Sequence, residues 1–143
     1  MKSCTFFGHR YVADDIDEKL RDILIDLIEN NGINNFYVGN HGNFDTLVKN
    51  TLISLKKDYE HIKYTVVLAY LPIQKGEIQR DYSNTIYPDG LEAVPPKFAI
   101  KARNLWMLER ADYVVTYVKR DIGGAAQFKE LAQKRGKTVI NIN

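Results

Sequence analysis

The sequence predicts an α/β protein with a Rossmann-like, three-layer domain and a mainly parallel, five-stranded sheet. Short β-prone segments alternate with segments whose apolar residues recur at helical spacing. Glycines stand directly after the first two predicted strands and before the last predicted helix. Alternating strands and helices favour parallel pairing through right-handed crossovers, which place helices on both faces of the sheet.

The first half of the chain predicts the order β-α-β-α-β. Strands are predicted at residues 3–7, 36–38 and 64–70, because each is a short run rich in β-branched, aromatic or other apolar residues. Helices are predicted at residues 16–28 and 47–55, where apolar residues recur every three or four positions. The run at 64–70 is almost uninterrupted in its apolar character, which is typical of a strand covered on both faces.

The second half predicts a long loop followed by α-β-α-β. Residues 72–97 contain all four prolines and lack a period, so we expect a loop, which at this length often acts as a lid. Tyr82 and Tyr87 in this loop either stack on a base or pin the loop to the protein surface. Helices are then predicted at 98–110 and from Gly123-Gly124 to Gly136, with strands at 113–118 and 138–142.

Length and composition predict one domain spanning residues 1–143 and a cytoplasmic protein. No apolar run approaches the roughly 20 residues that cross a bilayer, so no membrane partner is expected. The single cysteine, Cys4, cannot form an internal disulfide. The net charge is only +2, with acidic and basic residues interleaved, and this balance argues against nucleic acid as a partner.

Three glycine-bearing loops are the candidate ligand site, since ligands of doubly wound sheets collect beyond the carboxyl ends of the strands. Glycine permits close backbone approach, and a helix N-terminus presents free N–H groups to an anion such as phosphate. Arg10 follows the first strand, where a guanidinium can grip phosphate. The predicted ligand-binding residues are Gly8, His9, Arg10, Gly39, Asn40, Gly42, Asn43, Asp45, Arg103, Asn104, Gly123, Gly124 and Ala125.

Several of these residues also have a purely structural interpretation. Gly123-Gly124 is either a tight turn into the helix or a phosphate cradle, and Asp45 either caps the following helix or accepts hydrogen bonds from ribose. His9 makes a structural hydrogen bond to a neighbouring loop or acts as an acid or base. His9, His41 and His61 lack ligand spacing, so no metal site and no cofactor is expected.

The chain resembles the SLOG superfamily, the Rossmann-like group that links LOG phosphoribohydrolases to the DNA-processing protein DprA. The resemblance is closest to the YpsA-like branch, whose second strand is followed by two glycines and an aspartate, here Gly39, Gly42 and Asp45. The second glycine is displaced by one position from that pattern. The matching stretches are 5–10, 37–45, 103–112 and 123–142.

The resemblance implies three functions. The first is binding of a nucleotide-derived small molecule, either to sense it or to sequester it, with a homodimer as the expected assembly. The second is a LOG-like hydrolase that cleaves the N-glycosidic bond of a nucleoside 5'-monophosphate, with Arg103 and Glu130 at the catalytic positions. Glu130 also stands four residues before Lys134, where an ion pair is the ordinary explanation. The third is a DprA-like or adaptor role in contact with nucleic acid or protein.

Overall fold

A computed structural model describes residues 2–71 and 83–143, which form one sheet with helices packed on it. The strands are β1 Lys2–Gly8, β2 Ile33–Val38, β3 Lys63–Val67, β4 Thr85–Ile86, β5 Tyr113–Tyr117 and β6 Thr138–Asn141. The helices are α1 Asp17–Asn31, α2 Asn43–Lys56, α3 Ala99–Arg110 and α4 Gly124–Lys134. All strand pairs are parallel, in the order β4-β3-β2-β1-β5-β6. The predicted α/β, Rossmann-like class with a parallel sheet is confirmed.

The sheet has six strands, so the prediction of five is wrong. The additional strand, β4, lies in the segment predicted as loop and pairs with β3 through Val66 N–H to the Asn84 carbonyl at 2.7 Å and Leu68 N–H to the Ile86 carbonyl at 2.9 Å. Two paired residues are too few to show a period of two, which explains why the sequence pattern misses them.

The remainder of the predicted loop is also more regular than expected where it is described. Two short 3-10 helical turns at Leu91–Ala93 and Pro96–Phe98 lead into α3. Tyr87 packs against the hydrophobic core. Residues 72–82, and with them Tyr82, lie outside the described part of the chain.

Two apolar cores lie on opposite faces of the sheet. The larger contains inward side chains of α1 and α2, including Leu24 and Leu52, packed on Phe6 and Phe36 of the sheet. The smaller joins α3 and α4 to the other face around Phe7, with Met107 and Phe128 packed in the same cluster. The alternation of Phe6 and Phe7 along β1 therefore serves both layers.

The strand order reverses at β1. From β1 it adds β2, β3 and β4 on one side, and α3 then returns it to the other side, where β5 and β6 follow. β5 lies directly beside β1, with Gly8 paired to Tyr117 at the carboxyl end. Loops that follow adjacent strands at such a reversal diverge and leave a crevice between them.

Candidate functional site

A cavity of about 410 Å³ occupies the crevice beyond β1 and β5. Its walls come from the loop after β1, the loop after β2, one face of α3 and the start of α4. The lining residues are Phe6, Phe7, Gly8, His9, Arg10, Tyr11, His41, Asp45, Ile100, Arg103, Asn104, Met107, Arg120, Ile122, Gly123, Gly124 and Ala125. The volume lies within the range of about 300 to 1,000 Å³ that is typical of small-molecule sites.

Positive charge dominates the lining. Arg10, Arg103 and Arg120 face the cavity, and Asp45 is the only carboxylate among the described residues that line it. Arg10 and Arg120 are exposed, and neither guanidinium has a hydrogen-bond or ion-pair partner within residues 2–71 and 83–143. Two cations without internal partners favour an anion in the cavity, because guanidinium groups bind phosphate and carboxylate through paired N–H donors.

Arg103 plays a different part because its side chain is 2% exposed and held inside the protein. Nη1 donates to the Val67 carbonyl at 2.9 Å and to Asn40 Oδ1 at 3.2 Å, while Nε donates to Asn104 Oδ1 at 2.8 Å. The guanidinium therefore joins α3 to the end of β3 and to the loop after β2. Burial lowers the pKa of Arg103, and the negative charge of Asp45 acts in the opposite direction.

The remaining Nη2 group of Arg103 lies 3.3 Å from Nδ1 of His41. A guanidinium only donates hydrogen bonds, so this contact requires an unprotonated Nδ1 and places the imidazole proton on Nε2. The pKa of His41 is lowered, first by burial and then by the charges of Arg103 and Arg10. His41 is thus kept neutral at the cavity wall, with the ring of Tyr70 edge-on at 5.9 Å.

Asp45 is positioned by the loop that precedes its own helix. Its Oδ2 accepts the His41 N–H at 3.0 Å, so the carboxylate reaches back across the start of α2. The helix itself begins at Gly42 without a side-chain cap. Burial raises the pKa of Asp45, while the His41 hydrogen bond and the charges of Arg103 and Arg10 lower it by smaller amounts.

Gly39 makes room for the side chains of the partly buried Asp45 and the buried Arg103. A Cβ at Gly39 would lie 2.7 Å from Oδ2 of Asp45 and 3.0 Å from the Arg103 guanidinium. Gly42 serves the contact between the first two loops, because its Cβ would lie 2.6 Å from Cα of Arg10 and its φ is +90°. Asn43 N–H then donates to the Arg10 carbonyl at 2.7 Å. These contacts explain the glycines of the second loop by packing.

The start of α4 is open by comparison. Gly123 precedes the helix with φ 99° and ψ 175°, a conformation that is nearly restricted to glycine. The first turn contains no acidic residue and no side-chain cap, and a Cβ at Gly123 or Gly124 would meet nothing within 4 Å. Free N–H groups at a helix N-terminus carry a partial positive charge that adds to the charge of the arginines.

His9 is a structural link between the loops after β1 and β5. The imidazole Nε2 of His9 accepts the backbone N–H of Lys119 at 2.9 Å, and the backbone N–H of His9 donates to the Tyr117 carbonyl at 3.1 Å. Nε2 must therefore be unprotonated, and burial together with the charge of Arg120 lowers the pKa of His9. This neutral imidazole holds the two walls of the crevice together.

The structure brings most of the predicted site residues to the cavity, but not all of them. Gly8, His9, Arg10, Asp45, Arg103, Asn104, Gly123, Gly124 and Ala125 line it. Gly39, Asn40, Gly42 and Asn43 do not line it, and they support residues that do. Glu130 lies outside the lining, 67% exposed, in an ion pair with Lys134 at 3.1 Å. It lies in the second turn of α4 and faces solvent, and its catalytic role stays a prediction.

The predicted site did not include eight residues of the cavity wall: Phe6, Phe7, Tyr11, His41, Ile100, Met107, Arg120 and Ile122. Arg120 and Ile122 both follow β5, the strand next to β1. That adjacency depends on the strand order, which the sequence pattern does not fix. Among the described residues, no three His, Cys, Asp or Glu side chains are grouped to hold a metal ion. No helix in the described part is long and apolar enough to span a membrane.

The strand order and the position of the cavity define a Rossmann-like α/β fold with a positively charged crevice at its topological switch point. The sequence matches no family model and no curated protein sequence. A solved structure with this fold is that of DNA processing protein A (DprA) from Streptococcus pneumoniae, with a TM-score of 0.68 and 16% identity. The match covers 99% of this chain and 50% of that protein, so the chain spans about half of DprA.

This likeness shows the shared fold alone, so membership of the SLOG superfamily and of its YpsA-like branch stays a prediction. It also corrects the expectation that argued against nucleic acid as a partner, because a DNA processing protein has the same fold over 99% of this chain. Net charge is a sum over the whole chain, in which a local excess of arginine in one crevice is diluted. The comparison shows the fold, and the three functional hypotheses stay proposals.

Proposed function

We propose that this chain binds the phosphate group of a nucleotide in the cavity beyond β1 and β5. The observation that carries the proposal is the charge of the lining: three arginines against one carboxylate around a single cavity of about 410 Å³. Phosphate is the anion that best uses this arrangement, because its oxygens accept from guanidinium groups and from helix N–H groups together.

The three arginines have two different roles, ligand binding and support of a loop. The guanidinium groups of Arg10 and Arg120 are exposed and have no hydrogen-bond or ion-pair partner in the described part of the chain, so they are available to a ligand. Four of the five N–H groups of the Arg103 guanidinium contact other protein groups, so only one is left for a ligand. We therefore assign phosphate binding to Arg10, Arg120 and the start of α4, and we assign Arg103 to holding the second loop in place.

The test is titration calorimetry of the protein with adenosine 5'-monophosphate at low salt. Arg10→Gln and Arg120→Gln should each weaken binding by about tenfold or more, since a hydrogen bond to a charged group is worth about 1.5 to 3 kcal/mol. Arg135→Gln is the matched control, because Arg135 is exposed at the opposite end of α4 and makes the same charge change. Equal affinity of all four proteins would refute the assignment.

Asp45 supplies a test with the opposite sign. Asp45→Asn removes the one carboxylate of the lining and keeps an oxygen for the His41 N–H. Inorganic phosphate should therefore bind several-fold more tightly to this variant at pH 7. Unchanged or weaker phosphate binding in a folded Asp45→Asn protein would mean that the anion does not approach this wall of the cavity.

A second candidate is binding of a nucleotide within single-stranded DNA, which the shared fold with DprA favours. The two candidates use the same phosphate contacts and differ in length and salt dependence. Binding to a strand grows tighter with oligonucleotide length, and its affinity falls steeply as salt rises because counterions are released. Binding of a free nucleotide shows no length dependence. Titration with thymidine oligonucleotides of increasing length therefore separates them.

A further inference from the structure

Two exposed apolar side chains, Tyr11 and Ile122, lie at the cavity. Each is 73% exposed, the highest value among the large apolar residues of the described part of the chain. Both line the cavity, one from the loop after β1 and the other from the loop after β5. Each follows one of the two exposed arginines closely: Tyr11 is next to Arg10, and Ile122 is two residues after Arg120.

Folding does not account for their positions. Neither residue belongs to, or packs against, either hydrophobic core. Tyr11 has no ring contact and no hydrogen bond from its hydroxyl with any residue in 2–71 or 83–143. Leaving a large apolar side chain in water costs free energy, whereas exposed apolar groups beside polar ones are typical of ligand sites.

We propose that Tyr11 and Ile122 bind the planar base of the nucleotide, and so restrict the site to ligands that carry a nucleobase. The inference rests on the proposed function, since it takes the phosphate at Arg10 and Arg120 as its anchor. An aromatic ring and a branched aliphatic chain offer a flat apolar surface, and every base has a face that stacks on such a surface. Discrimination is therefore against phosphosugars and inorganic phosphate, and it is weak between bases.

The arrangement of the loops supports this placement. The loops after β1 and β5 are joined by the His9 to Lys119 and His9 to Tyr117 hydrogen bonds, so their apolar side chains stay beside the same opening. Each loop then offers a cation followed by an apolar side chain. A nucleotide is complementary to this order, because its phosphate is an anion, its base is a flat apolar ring, and the sugar lies between them.

The experiment is a cycle of two ligands and several protein variants, measured by calorimetry. The ligands are adenosine 5'-monophosphate and ribose 5-phosphate, which differ only by the base. The wild-type protein should bind the nucleotide at least tenfold more tightly. Tyr11→Ala and Ile122→Ala should each reduce that ratio severalfold, whereas Tyr11→Phe should preserve it because it keeps the ring. Phe98→Ala is the control, since Phe98 is an exposed aromatic residue outside the cavity lining.

The outcomes separate this inference from the function on which it rests. If ribose 5-phosphate binds as tightly as the nucleotide, or if Tyr11→Ala weakens both ligands equally, the base is not held here, although phosphate binding stands. If neither ligand binds and inorganic phosphate fails as well, both proposals fall for free nucleotides. The same cycle with a thymidine oligonucleotide and its abasic counterpart then decides whether the bound base belongs to a strand. If Tyr11→Ala changes the affinity ratio in neither pair of ligands, the inference is refuted.

Discussion

The buried guanidinium of Arg103 offers the sharpest test of how the site is built. Arg103→Met keeps a chain of similar length in the interior and removes the charge and every donor. The Val67 carbonyl then loses its 2.9 Å partner, and Asn40, Asn104 and His41 lose theirs. Asp45 also loses the nearby charge that opposes the effect of its burial on its pKa.

The magnitude follows from the environment of each lost contact. Removing a buried charged side chain whose hydrogen-bond partners then stay unsatisfied lowers the free energy of unfolding by about 3 to 5 kcal/mol. Asn40 is exposed and can be hydrated in the variant, so we expect a value near the lower end, about 3 kcal/mol. For a chain of this length, that corresponds to a decrease in melting temperature of roughly 6 to 12 °C.

Urea denaturation followed by circular dichroism at pH 7 measures this change directly. Lys101→Met is the matched control, since Lys101 is an exposed cation on the same helix and should change stability by less than about 0.5 kcal/mol. Arg103→Lys should fall between the two, because a single ammonium cannot replace a planar fork of donors. A loss below about 1 kcal/mol in Arg103→Met would show that the guanidinium is not the structural link described here.

Two further predictions concern the start of α4 and the link between the loops. Gly123→Ala should lower the free energy of unfolding by about 1 to 3 kcal/mol, because the φ of Gly123 is +99°. Gly124→Ala should be neutral or slightly stabilising, because Gly124 has an ordinary φ and open space around it. Chemical denaturation compares the two variants, and equal free energies of unfolding would refute the backbone explanation. The folded-state pKa of His9 lies below its ordinary 6.5, so the unfolded chain takes up more protons as pH falls through that value and stability is lost. The His9→Gln variant should lose less stability between pH 7 and pH 5 than the wild-type protein, and the loss that remains is assigned to His41, whose pKa is also lowered. If the variant and the wild-type protein lose stability equally over this pH range, the contact of His9 with Lys119 is contradicted.

The sequence predicted the elements with a strong local pattern and missed the one without it. The strand at β1 and the helix at α3 were placed within one residue, because β1 is a continuous buried run and the buried positions of α3 lie mostly four residues apart. β4 has two residues and gains its place only by pairing with β3. Such a strand is a consequence of tertiary structure and leaves no local pattern.

The candidate site was predictable in its location and less so in its membership. Glycine after successive strands correctly indicated the carboxyl edge, and Arg10 and Gly124 indeed share one cavity there. Glu130 was assigned from a family pattern, and the structure turns it to solvent. The residues that were missed, such as Arg120, depend on β5 lying beside β1, which is a property of strand order.

The two glycine-led helices at this edge differ in how open their N-termini are. Gly42 and Gly123 precede α2 and α4 with nearly the same dihedral angles, φ 90° and ψ 174° against φ 99° and ψ 175°. At α2 the first N–H is already bound to the Arg10 carbonyl, and Asp45 fills the first turn with negative charge. At α4 nothing comparable is present in the described residues, and the terminus opens into the cavity. Because both ends offer the same backbone, we expect the acidic residue at α2 to disfavour an anion there. An acidic substitution at Gln127 or Ala126 should weaken phosphate binding at α4 for the same reason.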